Sequence, residues 1–149
     1  MEINAQDFEQ TNQHFSHTQQ TTGTPEQIWE VWTNVDRWKD WDTGLQDAEL
    51  HSETFELGAK GTILSLEGRK SKFTIVEFER GRSYTMKTKL PLGSLYVKRY
   101  LTSAEGHTIF THEVWFSGLT KGIFAKAFGT NFRNMLPDVL ANIKNIVEK

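Results

Sequence analysis

GLTKGIFAKAFGTNFRNMLPDVLANIKNIVEK, residues 118–149, carries the longest helical periodicity in the sequence. Phe124, Phe128, Phe132, Met135, Val139, Ile143 and Ile146 fall three or four apart, which places them on one stripe of a helix. Ile123, Ala127, Leu136, Leu140 and Val147 lie beside the stripe and widen it. Such a helix, roughly 40 Å long, buries a broad face against something large and concave. Pro137 removes one backbone donor and crowds the carbonyl four residues back, so a kink or break is predicted near Arg133 to Leu136. That kink would divide a Phe-rich first half from an aliphatic second half.

Upstream of this helix the periodicity is that of strands. Turn residues at 56–61, 67–69, 79–82, 91–93 and 104–106 separate predicted strands at 45–54, 62–66, 72–79, 83–90, 94–103 and 108–117. Turns this short demand antiparallel neighbours. Earlier still, the Thr-rich run at 14–23 reads as an edge strand. It leads into Thr24-Pro25-Glu26-Gln27, the signature of a helix start: Thr24 as N-cap, Pro25 at the first position and Gln27 placed to complete a capping box. Ile28, Trp29, Val31, Trp32 and Val35 give that helix its apolar face, and Trp38 and Trp41 mark a second short helix over 36–42. The fold class is therefore α+β: one strand, two short helices, six more strands, and a long helix around which a sheet of about seven strands curls.

With 149 residues the chain suits a single domain, 1–149, in which 1–13 reads as a loose polar arm. That arm has no apolar core, so it resembles neither a signal peptide nor a membrane anchor. No apolar run is long enough for stable membrane insertion, and a net charge of −2 gives no footprint for nucleic acid. The absence of cysteine excludes disulfides and thiolate chemistry, and agrees with a cytoplasmic location. Aromatic residues make up 12% of the chain, which bears on what its interior could hold. Trp29 and Trp32 are expected to be buried, since packing a short helical arm onto a sheet is a commoner use of tryptophan than a ligand platform.

The run from Thr24 to Asp42, with its Thr-Pro opening, Val31-Trp32, Asp36, Trp38 and Trp41, resembles the start of the SRPBCC (START/Bet v 1-like) superfamily in its polyketide cyclase/dehydrase-like branch, with Thr24 in place of the usual Ala. Leu57-Gly58 with Gly61, Glu79 through Gly81 to Ser83, Gly106-His107-Thr108 leading into Thr111-His112-Glu113-Val114, and Leu136-Pro137 followed by Leu140 and Ile143 extend the likeness to the end of the sequence. The resemblance implies a helix-grip fold, in which a curved antiparallel sheet wraps a long C-terminal helix and leaves a cavity for an apolar or amphipathic small molecule. Members bind lipids, sterols, plant hormones, quinones or polyketides; some catalyse cyclisation or dehydration, and others act as co-chaperones. No shared catalytic motif carries over to particular residues here.

The residues themselves offer no Gly-x-Ser-x-Gly elbow, no His-Glu-x-x-His and no phosphate loop, and no cofactor is implied. His14 and His17, three apart on a strand, fall on opposite faces and make no metal pair. In strand 83–90 the set Tyr84, Met86 and Thr88 is predicted to face the helix, and in strand 108–117 the set Phe110, His112, Val114 and Phe116. The inward face of strand 94–103 is left open between the Leu95, Val97, Arg99, Leu101 set and the Tyr96, Lys98, Tyr100, Thr102 set. The expected ligand-binding residues are thus Tyr84, Met86, Tyr96, Arg99, Phe110, His112, Phe124 and Phe128, converging on one enclosed space, with Arg99 suited to a carboxylate. His112 is the one candidate for general acid or base chemistry, which leaves a cyclase or dehydratase as the alternative to binding, and a co-chaperone-like module as a second.

Overall fold

The computed structural model describes residues 8–104 and 106–149. Glu105, in the last predicted turn between strands, and residues 1–7 of the predicted arm lie outside the described residues. Seven strands form one sheet: β1 (His14–Thr21), β2 (Leu45–Leu50), β3 (Lys60–Ser65), β4 (Lys70–Glu79), β5 (Ser83–Leu90), β6 (Gly93–Ala104) and β7 (His107–Gly118). Their order is β1-β7-β6-β5-β4-β3-β2, antiparallel throughout, so β2 to β7 form a meander and β1 pairs with the last strand. The sheet curls around the C-terminal helical segment. Its register follows from the alternation on β5 and β7, which puts Tyr84, Met86, Phe110, Val114 and Phe116 into the core.

Helix α1 (Pro25–Thr33) starts as its sequence dictates: the Thr24 side chain accepts from Gln27 N, and the Gln27 side chain accepts from Thr24 N. A 3₁₀ helix, Val35–Asp40, follows. Trp32, Trp38 and Trp41 are buried, and Trp29 is partly buried and packed against the core. Its ring stands at the edge of an aromatic group with Trp32, Phe78 and Tyr84, beside a shallow recess lined by Glu26, Glu30, Thr33 and Gly81.

The long C-terminal helix is not one regular element. It comprises α2 (Lys121–Phe124), a π-helical turn (Ala125–Gly129) and α3 (Thr130–Val147). The α-helix runs unbroken through Pro137, whose side faces solvent, so the predicted break at Arg133 to Leu136 does not occur; the irregular turn lies earlier. A π turn absorbs one extra residue, which rotates everything beyond it by about 100°. The buried face accordingly reads Ala125, Gly129, Leu136, Val139, Leu140, Ile143 and Val147, while Ile146 and Ile123 of the predicted face are exposed.

Residues 10–13 are tied to the body at that irregular turn. Asn12 Nδ2 donates to Thr130 Oγ1 at 2.8 Å, Arg133 donates to Asn12 Oδ1 at 3.2 Å, and Phe116 N donates to Gln13 O at 2.9 Å. This part of the predicted arm is therefore not loose. At the other end of α3, Glu148 accepts from the Thr21 hydroxyl at 2.6 Å and from Thr22 N at 3.1 Å, which pins the helix across β1. Since Leu140 is fully buried and Pro137 exposed, Leu140→Ala is expected to cost about 2–5 kcal/mol and Pro137→Ala much less, as checked by thermal unfolding.

Candidate functional site

Cross-strand partners share a face of a sheet, so the register defines what the concave surface presents. His17 pairs with His112, His112 with Arg99, Arg99 with Tyr84, and Tyr84 with Phe78. These residues make one row across five strands, and β6 therefore presents Leu95, Val97, Arg99 and Leu101 to the interior. The next row toward the β5–β6 turn is wholly apolar: Ile75, Met86, Val97, Val114 and Phe15. His14, as its spacing requires, is on the opposite face from His17, paired with Glu113 and stacked on Phe8.

Arg99 is the centre of the polar row. It is 3% exposed, and its guanidinium carbon lies 4.8 Å from the Trp38 ring centroid, 5.0 Å from that of Trp41 and 5.7 Å from that of Tyr84. One Nη donates to the Tyr84 hydroxyl at 2.7 Å, and that hydroxyl donates to Trp32 O at 2.9 Å. The Trp38 indole donates to the same carbonyl. No carboxylate lies within 4 Å of the guanidinium among the described residues. Among the described residues three buried side-chain atoms have no partner, Thr102 Oγ1 on β6 and, at this cation, Arg99 Nε and Trp41 Nε1. Unpaired buried donors are costly and uncommon, so a pair of them around one cation is the most telling feature of the interior.

His112 is 1% exposed and accepts the Trp32 indole N–H at Nε2, 3.0 Å, which fixes its remaining proton on Nδ1. Burial, then the charge of Arg99, then His17, hold it well below the ordinary histidine range, so it is neutral. His17 is lowered by burial alone. Asp42 is raised by burial, against the opposing pull of the Gly44 N–H and of Arg99. The carboxylate nearest in influence to Arg99 is thus itself reluctant to ionise.

Of the predicted ligand-binding residues, Tyr84, Arg99 and His112 meet in this row, with Phe110 and Met86 on the same face beside it. Tyr96 does not belong with them. It lies on the convex face, stacked on Trp115 at 5.1 Å, because the set containing Arg99 takes the interior positions of β6. Phe124 and Phe128 are half-buried and stacked on each other at 5.9 Å, with the Arg69 guanidinium 4.7 Å from the Phe128 ring. The two best-formed pockets are open recesses of about 410 and 340 Å³, lined by Thr11, Asn12, Gly122 and Lys126 in one and by Trp29 and Gly81 in the other. The enclosed space expected beside Phe124 and Phe128 is neither of these.

Sequence reasoning missed Trp38, Trp41 and Asp42 as part of the site. The density of tryptophan is the available signal, and by itself it points more often to packing than to a ligand platform. Packing and lining are here the same act, since the rings that fill the core are those that face Arg99.

The fold is similar to that of the hypothetical protein jhp0584 from Helicobacter pylori, at 10% identity and a TM-score of 0.76 over 99% of this chain and 98% of that one. It is also similar to the di-domain ARO/CYC StfQ from the steffimycin biosynthetic pathway, at 11% identity and 0.74 over 91% of this chain and 50% of that one. Ara h 8.0201 is similar at 12% identity and 0.69, with 91% and 97% covered. No curated protein matches by sequence. Residues 12–148 match the family described as Polyketide cyclase / dehydrase and lipid transport, and the chain belongs to that family, within the SRPBCC superfamily.

Proposed function

We propose that the chain binds an amphipathic small molecule between the sheet and the C-terminal helix. The apolar body lies along Met86, Val97 and Val114 toward Phe124 and Phe128, and an anionic oxygen-bearing head, such as a carboxylate, meets Arg99 and Trp41. The observation that carries this reading is the pair of buried N–H groups without partners, Arg99 Nε and Trp41 Nε1. A carboxylate has acceptor oxygens enough for both, and the guanidinium, bonded to Tyr84 through one Nη, keeps Nε for it.

Family membership supports the apolar part of the reading. Entry requires the first half of the helix to lift from the sheet, and the π turn at Ala125–Gly129 is where its hydrogen-bond ladder is already irregular. Acid–base catalysis at His112 receives less support, because its one lone pair in the ring plane is taken by the Trp32 indole.

The test compares a long-chain carboxylic acid with its methyl ester, titrated against intrinsic tryptophan fluorescence and checked by native mass spectrometry. The acid is expected to bind more tightly, and Trp41→Phe, which keeps the ring and removes one donor, is expected to weaken the acid by about 1–3 kcal/mol and the ester little. Equal binding of acid and ester by the unmodified protein would overturn the assignment of the head group.

His112 yields a separate prediction. Its folded form stays neutral while the unfolded chain takes up a proton near the ordinary value of about 6.5, so stability falls as pH drops through about 6.5 and continues to fall until the folded pKa is reached. His112→Gln retains an acceptor for Trp32 and does not titrate, so its thermal midpoint should decline less on acidification. His112→Phe leaves the indole unpaired and is expected to cost about 1–3 kcal/mol at neutral pH.

A further inference from the structure

A modest net charge of −2 conceals a pronounced asymmetry along the chain. Residues 80–104 hold Arg80, Arg82, Lys87, Lys89, Lys98 and Arg99 without one acidic residue, and residues 114–137 hold Lys121, Lys126 and Arg133, again without one. The fold brings parts of both stretches to one end of the sheet. There the β5–β6 turn meets the entry to α2: Leu119 N donates to Leu92 O at 2.9 Å, the Thr120 hydroxyl donates to Pro91 O at 2.6 Å, and Gly118, at φ 93°, lies against Gly93.

This end exposes large apolar side chains that no described residue covers. Leu119 is 87% exposed, Leu92 73% and Ile123 66%; Leu66, on the β3–β4 turn that also places Arg69 on Phe128, is 57% exposed. Leu92 also has a φ of 57°, a conformation for which a glycine or asparagine is the ordinary choice. A strained backbone that projects a leucine into water has no rationale in stability. Arg69, Lys89, Lys121 and Lys126 each fall within three residues of one of these side chains and are all exposed, with Glu67 the acid on the β3–β4 turn.

We infer that this rim, the β5–β6 turn with the β7–α2 entry and the β3–β4 turn, docks on an anionic phospholipid surface. Apolar tips at the centre and cations around them match the layers of such a surface, with the leucines below the headgroups and the lysines among the phosphates. A protein interface also pairs an apolar centre with a polar rim, but its centre is enriched in aromatic side chains and its surroundings are depleted in lysine, whereas these tips are aliphatic and three of the four cations beside them are lysines. The rim is reached from inside by the apolar row of the concave face, but the inference stands on the exposed surface alone and holds whatever the interior binds.

Vesicle sedimentation tests it with the unmodified chain, using phosphatidylcholine alone and phosphatidylcholine mixed with phosphatidylglycerol. The protein is expected to sediment with the anionic vesicles and not with the neutral ones, and to be released as salt is raised. Leu92→Asn with Leu119→Ser and Ile123→Ser, all at exposed positions, should reduce vesicle affinity at least tenfold with an unchanged thermal midpoint. Lys89→Glu with Lys121→Glu should do likewise, since each cation near such a surface is worth about fivefold. Failure of the unmodified protein to sediment, or sedimentation of the triple variant equal to it, overturns the inference. So does self-association of the unmodified chain that the triple variant abolishes in the absence of vesicles, which would make the rim a protein contact.

Discussion

A guanidinium taken out of water and not given a carboxylate is the constraint on which the interior depends. Desolvation of such an ion costs several kcal/mol, and here it is offset by the faces of Trp38, Trp41 and Tyr84 and by one hydroxyl. The Tyr84 hydroxyl and the Trp38 indole both lean on the carbonyl of Trp32, whose own indole leans on His112. A single backbone carbonyl at the end of α1 thus locks the arm to the sheet. Each member has its partner except at Arg99 Nε and Trp41 Nε1. Replacement of the whole arrangement by apolar residues would serve stability at least as well, which is the physical reason for reading the two free donors as a function.

The irregular helix is the second determinant. Placing the extra residue of the π turn at Ala125–Gly129 separates a helix start whose phenylalanines are only half-buried from an α3 whose leucine and isoleucine face is sealed. The turn is held from outside by the strap at residues 10–13, through Asn12 to Thr130 and Arg133. Small residues line its buried side, Ala125 and Gly129, and the backbone of Asn12 occupies the space that a side chain at Gly129 would need. The sealed half fixes the fold, and the half-buried one leaves the opposite end of the sheet adjustable.

Much of this was legible in residue order. The Thr24 capping box, the antiparallel strands and the inward faces of β5 and β7 follow from local chemistry and from a period of two, and the structure has them so. The inward face of β6 was not decidable, because Arg99 in one set and the tyrosines in the other obscure the apolar alternation. It is settled by pairing: once Tyr84 and His112 face inward, Arg99 between them must do so, and Tyr96 must face outward. The rotation of the helix was invisible for another reason. A proline is a strong local signal and a π turn has none, so the irregularity was placed at Pro137, where the helix tolerates it on its solvent side. The convergence of Trp38 and Trp41 on Arg99 is a property of tertiary packing that no spacing reports.

Polarity along the concave face gives a bound molecule a direction. From Arg99 to the β5–β6 turn at Gly93 is six residues of strand, about 20 Å, and the rows in between are apolar except for Thr88, which pairs with Leu95. On the proposed reading, a ligand entering from the rim end would carry its head past Thr88, Phe116, Val114 and Val97 before it reaches the guanidinium. An ionised carboxylate crossing that distance without water would be disfavoured far beyond what any hydrogen bond at the end could recover. On that reading the head would travel either protonated or in a lifted, hydrated gap beneath the Phe124 and Phe128 side of the helix. Its charge would then become favourable beside Arg99, where a neutral His112 and an Asp42 carboxyl whose pKa burial raises leave the guanidinium the dominant field. Selectivity for an acid over an equally apolar neutral molecule would thus arise at the Arg99 row, and the apolar length before it would set the size of the body.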